Sequence, residues 1–240
     1  MRSAFHRTID ALAKSQNQAA APVLIAALDA SDPEIVDGAL KALATRRNKE
    51  GHLAVLRRWH ELSEEQQAIV EIGLGRMSGA IRDGLLGEKQ LFLNACDIAE
   101  RFGEYDLIPT LVTIAEQPNS SRSPIAMQLI RRLVDSLTQM LHDPDPPAGG
   151  RDPEMIRKFV LESLERAVGR FRVHRQGMLI DSFVALAGSS SETLRSILSD
   201  PLHACYQSVI QTLAESNCPG VIHLLFEYLK QPNAPGAIHS

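Results

Sequence analysis

Ala21-Pro22-Val23-Leu24-Ile25-Ala26-Ala27-Leu28, Ser31-Asp32-Pro33-Glu34-Ile35-Val36 and Ala39-Leu40-Lys41-Ala42-Leu43 follow one another along the chain and decide the fold. The first run is apolar and short enough for a small helix. In the last two, Val36, Ala39, Leu40 and Leu43 recur at three- and four-residue intervals, which places them on one face of a helix. Asp32 carries a side-chain oxygen that can cap a helix start, and the fixed φ of Pro33 suits the first helical position. Residues 21–43 therefore predict two short helices joined by a capped turn.

The same two-helix unit returns on either side. Upstream, a helix near residues 3–14 aligns Phe5, Ile9 and Leu12. Downstream, Leu53, Leu56 and Trp59 line one helix; after a Ser63 cap, Ile69, Ile72 and Met77 line its partner. A third unit is expected from Gly79 to Phe102, its second helix presenting Leu91, Ala95, Ile98 and Phe102. The fourth starts at Glu104, uses Leu107, Ile108, Leu111 and Ile114, and turns at Pro118-Asn119-Ser120. Its longer second helix buries Ala126, Ile130, Leu133, Leu137 and Leu141. Consecutive prolines and glycines then make 142–152 a loop or hinge, because they cannot continue a helix. Beyond it, Asp152-Pro153 opens a helix with Ile156, Phe159, Val160, Leu164 and Phe171, and its partner carries Leu179, Phe183, Val184 and Leu186. Another pair spans 192–215, and a last helix begins at Pro219 with Val221, Ile222, Leu225 and Leu229. A loose repeat of helix pairs is the pattern of an α-solenoid.

With that pattern in place, residues 21–43 resemble the HEAT-repeat superfamily: an apolar first helix, an Asp-Pro turn and an Ala/Leu second helix. Where many HEAT repeats carry Arg after the Val, this chain has Asp37. The resemblance implies an all-α fold, a right-handed α-solenoid of about seven antiparallel helix pairs, with second helices lining an inner surface that binds other proteins. HEAT-like deoxyhypusine hydroxylases build a di-iron site from several His-Glu dyads; here His60-Glu61 stands alone, so that ligand set is absent.

Composition agrees with helices. The 240 residues include 30 Leu and 27 Ala but only 5% aromatics, and Leu and Ala favour helix where strands prefer β-branched and aromatic residues. The net charge is −4, the wrong sign for a protein whose whole surface grips phosphate polymers. Cys96, Cys205 and Cys218 are odd in number and form no C-x-x-C, which argues against a disulfide framework or a structural zinc and fits a reducing compartment. No signal peptide or membrane-spanning run is present, so a cytoplasmic location is expected.

Candidate chemistry is sparse. Gly73 and Gly75 sit where a dinucleotide loop carries its first two glycines, but Ser78, next to Gly79, occupies the sixth position and the residues upstream read as a helix start rather than a strand. Asp143, Asp145 and Glu154 match three positions of a calcium loop; Pro147, Ala148 and Arg151 break the template. The strongest local charge feature is 157–175, where Arg157, Lys158, Arg166, Arg170, Arg172 and Arg175 face only Glu162 and Glu165. Spacings of four residues pair Glu154 with Lys158 and Glu162 with Arg166, whereas Arg170, Arg172 and Arg175 lack such partners; Arg166, Arg170, Arg172 and Arg175 together are the candidate patch for an acidic partner.

The expectation is a single HEAT-like domain over 1–240, with 142–152 as a loop or hinge dividing 1–141 from 153–240 and an incomplete last repeat. It is read as a non-enzymatic interaction scaffold or adaptor with no catalytic, cofactor or metal residues. Its partner would be a protein, or a second copy met through an open C-terminal end. The alternative is a nucleic-acid or phosphate-polymer binder acting through 157–175; a HEAT-like enzyme comes behind both.

Overall fold

The computed structural model describes residues 4–15, 17, 19–143 and 151–231. Among them the secondary structure is entirely helical. The chain divides into two compact units, Met1–Ala99 and Glu100–Ser240.

The first unit contains α1 (Ala4–Lys14), α2 (Ala20–Ala27), α3 (Pro33–Thr45), α4 (Lys49–Arg58), α5 (Glu64–Glu71), α6 (Leu74–Leu86) and most of α7 (Lys89–Phe102). Polar caps set the helix starts. The Asp32 carboxylate accepts from the Glu34 N–H at 2.9 Å, and the Asn48 carbonyl oxygen accepts from Gly51 at 2.7 Å. Ser63 and Gln66 form a reciprocal capping box, which satisfies two donors that a helix start leaves open. Packing follows chain order within layers: α2 lies on α4 and α4 on α6, while α1 and α5 lie on α3. Leu24, Leu40, Leu43, Val55, Leu56, Trp59, Met77, Ile81 and Leu85 fill the space between them.

One helix start expected from the sequence moves. Gly79 lies inside α6, which begins at Leu74 behind Gly73. A Cβ on Gly73 would overlap the Ala44 carbonyl at the end of α3, so Gly73 marks the junction where the backbones touch. Met77 accordingly belongs to α6, and Ile72, expected in the core, caps α5 and is 68% exposed.

The second unit contains α8 (Ile108–Ala115), α9 (Ser123–His142), α10 (Pro153–Gly169), the single turn α11 (Phe171–His174), α12 (Gly177–Leu186), α13 (Glu192–Ser199), α14 (Tyr206–Glu215) and α15 (Pro219–Leu229). Here α8 packs on α10, whereas α9 packs on α12 and α12 on α14; α8, α10 and α13 each back onto α9, α12 and α14. Asp152 and Ser191 cap α10 and α13. The unit boundary falls inside α7, whereas the sequence placed its break at 142–152. Helices α9 and α10, on the two sides of that segment, pack together. Residues 144–150 of the segment, and the expected end of the last repeat at 232–240, lie outside the described residues. At the segment's far end Arg151 forks onto both oxygens of Asp106, at 2.8 and 2.9 Å.

Two apolar faces differ from expectation. Phe159 is exposed and Phe171 sits in α11 rather than on α10. In α15 the buried residues are Val221, Leu224 and Tyr228, while Ile222 and Leu229 are exposed. The face is chosen by Gly220, where a Cβ would overlap the Ala185 carbonyl of α12; the residues that share Gly220's side of the helix are carried inward with it.

Cys205 is wholly buried with its thiol 3.6 Å from the Val168 carbonyl, and burial pushes its pKa up to about 11. Since the thiolate is the reactive form, alkylation of Cys205 at pH 8 is expected to run about a hundredfold or more slower in the native chain than in denaturant. Peptide-resolved mass spectrometry after an iodoacetamide time course checks this. Equal rates in both states would contradict the burial of Cys205 against Val168 of α10. No helix among the described residues is long and apolar enough to cross a membrane.

Candidate functional site

An open groove of about 540 Å³ lies in the second unit across α9, α12 and α14. Each wall is supplied by a helix whose opposite face is buried. On α9, Leu133, Val134 and Leu137 are buried, which turns Arg131 and Asp135 outward. On α12, Ile180, Phe183 and Val184 are buried and Asp181 is half-buried at the groove floor; on α14, Val209 and Leu213 are buried and Gln211 and Glu215 are exposed.

Polar groups order this surface. The Thr212 hydroxyl stands 2.5 Å from Asp181 Oδ1 and 2.8 Å from the Ser208 carbonyl. Gln211 Nε2 donates to Glu215 Oε2 at 3.1 Å, and Arg131 Nε lies 3.9 Å from Asp135 Oδ2. The Cys218 thiol contacts Asp135 Oδ1 at 3.6 Å. Burial raises the pKa of that thiol and the charge of Asp135 adds to it, against the backbone amides of Gly220 and Val221, so Cys218 is a neutral thiol at physiological pH. Three carboxylates, Asp135, Asp181 and Glu215, thus face a single guanidinium, Arg131. Such a bed attracts cationic side chains, and its field adds over the three helices.

In the basic segment singled out in the sequence, Arg166, Arg170, Arg172 and Arg175 are all exposed, and the segment's cations differ in their partners. Arg157 turns inward, its Nε donating to the Leu186 carbonyl at 2.9 Å while Nη1 meets Glu154 at 3.3 Å. Glu154 therefore pairs three residues on, with Arg157, rather than with Lys158. Arg166 donates to Ser163 Oγ at 3.2 Å, and Arg170 pairs with Glu116 at 2.8 Å. Glu116 is 54 residues upstream in sequence (170 − 116), which is why local spacing did not supply Arg170 with a partner. Arg172 and Arg175 are exposed, and Arg175 ends α11 with a left-handed φ of 53°. Within this turn His174 donates from Nε2 to the Ala167 carbonyl at 2.8 Å and accepts the Gln176 N–H on Nδ1 at 2.9 Å, which holds the ring in one tautomer.

Other sequence candidates resolve locally. His60 is exposed, 3.6 Å from Glu61 and 3.1 Å from the Asn94 amide. Gly73, Gly75 and Gly79 lie in a helix–turn–helix, with α5 rather than a strand leading into them. Of the calcium template, Glu154 is the partner of Arg157, and Asp145 lies outside the described residues. No group of three or more His, Cys, Asp or Glu side chains among the described residues converges as metal ligands.

Asp135, Asp181 and Glu215 escaped sequence reading. The only local signal was the four-residue spacing of Arg131–Asp135 and Gln211–Glu215 beside apolar stripes, which any exposed helix face shows. No protein-family model matches the chain, and no curated protein is found similar to it.

Proposed function

We propose that the chain is a HEAT-like α-solenoid of about seven helix pairs that binds a polypeptide and catalyses no reaction, with the groove across α9, α12 and α14 as its binding surface. What supports the repeat reading is that helices at equivalent places in successive pairs pack on one another, α2 on α4 on α6 in the first unit and α9 on α12 on α14 in the second. Stacked repeats build extended surfaces in this way, each repeat adding a strip beside the last.

The observation that carries the function is the groove itself: three second helices side by side, with Asp135, Asp181 and Glu215 against Arg131. An extended segment rich in Lys and Arg fits that charge, with contacts distributed over three helices. Exposed pairs of this kind are screened by salt, so the affinity falls as ionic strength rises.

Peptides selected from a random displayed library on the full chain test the proposal. Selected peptides are expected to be enriched in Lys and Arg and to lose about tenfold or more in affinity against the triple variant Asp135→Asn, Asp181→Asn, Glu215→Gln. Binding that survives the triple variant, or that fails instead in Arg172→Ala with Arg175→Ala, would overturn it.

A further inference from the structure

A second cavity, of about 530 Å³, opens in the first unit where the start of α4 faces α6. Its electrostatics are the reverse of the groove's. Arg47, Lys49, Arg76 and Arg82 line it with a single carboxylate, Asp83, in a chain whose net charge is −4. Asp83 is taken up by Lys49 at 2.5 Å. Arg47, Arg76 and Arg82 are exposed and make no ion pair or side-chain hydrogen bond among the described residues. Three free guanidinium groups at one cavity repel one another unless an anion joins them.

The helix start adds to the same field. Helix α4 runs for ten residues, and its N-terminus carries the positive end of the helix dipole together with backbone N–H groups that no earlier turn can accept. Helix α6 adds room. Gly75 and Gly79 stand four residues apart on its exposed face, and a Cβ at either position would meet nothing within 4 Å. The glycines that invited a phosphate-loop reading serve differently here: they keep side chains off the helix surface beside Arg76 and Arg82.

An independent observation points to a ligand. His52 lines this cavity and is only 4% exposed, yet its buried Nε2 has no hydrogen-bond partner. Buried polar atoms in folded proteins are almost always paired, and an unpaired one calls for an explanation. Burial holds the His52 pKa below the ordinary histidine value, against the carbonyls of Arg46 and Leu43, and the charge of Arg76 pushes the same way as burial. Nε2, which no protein group satisfies, can donate to an anionic oxygen held in the cavity.

We propose that this cavity binds a phosphate monoester, gripped by Arg47, Arg76 and Arg82 at the start of α4 with His52 behind them. Three guanidinium forks can share the several oxygens of a phosphate dianion, whereas one carboxylate offers two. The ester is borne either by a small molecule or by a phosphorylated side chain of a protein, and the site does not depend on what occupies the groove across α9, α12 and α14.

Calorimetric titration of the full chain at low salt, with phenyl phosphate and with a phosphoserine peptide beside its unphosphorylated counterpart, tests this. Saturable binding of the phosphorylated probes alone is expected. It should weaken about tenfold or more in the double variant Arg76→Ala, Arg82→Ala, both exposed positions. Gly79→Glu, which sets a carboxylate in open space, should weaken it as much without lowering the melting temperature. A peptide that binds more tightly than phenyl phosphate assigns the ester to a protein, and equal affinities assign it to a small molecule. Absence of saturable binding, or affinities equal in wild type and both variants, would overturn the site.

Discussion

Replacing Gly73 by alanine is expected to destabilise the first unit by about 3 kcal/mol or more, whereas the same change at Gly75 should stabilise it by about 0.5–1 kcal/mol. The two residues differ in surroundings rather than in backbone conformation. Gly73 has φ −104°, which alanine adopts freely, so no torsional strain enters. A Cβ at Gly73 would overlap the Ala44 carbonyl oxygen and come within 2.8 Å of the Ala44 Cβ. The obstacle is the backbone of α3, so no side-chain rotation relieves it, and α6 would have to move off the turn of α3 that it touches. At Gly75 the added methyl enters open space and the helix gains the conformational advantage of alanine. Trp59, the one tryptophan of the chain and buried in this unit, reports the transition by fluorescence during urea denaturation. Midpoints that move in the same direction for both variants would contradict the contact of α6 with α3.

The second large effect is expected at Trp59 itself. Its side chain is 1% exposed, and its Nε1 donates to Asp97 Oδ2 at 2.6 Å. It follows α4 in a short turn, Trp59–Glu61, and joins that turn to α7. Trp59→Ala removes the largest fully buried side chain of the molecule and should cost about 3–5 kcal/mol. Trp59→Phe keeps most of the ring but strips Asp97 of its donor, so a loss of about 1–2 kcal/mol is expected. Circular dichroism melts of the three chains give the order wild type, Trp59→Phe, Trp59→Ala. A Trp59→Phe variant as unstable as Trp59→Ala would shift the weight from packing to the hydrogen bond.

Much of the fold was legible because its signals are local. Asp32, Ser63 and Asp152 announced helix starts by side-chain chemistry alone, and Ala39, Leu40 and Leu43 announced a buried face by spacing. Spacing failed where a helix is apolar most of the way round. In α15, Val221, Ile222, Leu224, Leu225, Phe226, Tyr228 and Leu229 leave several faces equally plausible, and the close approach of Gly220 to α12 selects among them. Likewise Gly73 and Gly79 were equivalent punctuation until the contact of one with Ala44 distinguished them. Those choices are made by tertiary contact, which no window of sequence contains.

The candidate sites were less legible for the same reason. Asp135, Asp181 and Glu215 come from three helices far apart in sequence and become neighbours only when α9, α12 and α14 align. The positive cavity draws Arg47 and Lys49 from the start of α4 and Arg76 and Arg82 from α6, with no run of basic residues to announce it. The segment that did look basic, 157–175, loses Arg157 and Arg170 to Glu154 and Glu116 once folded.

Hydrogen exchange of the full chain with a bound library-selected basic peptide tests the central claim most directly. Slower exchange is expected along the groove-facing stretches of α9, α12 and α14, around Asp135, Asp181 and Glu215, with Arg166–Arg175 unchanged. Protection confined to Arg166–Arg175, with the three groove helices unaffected, would contradict it.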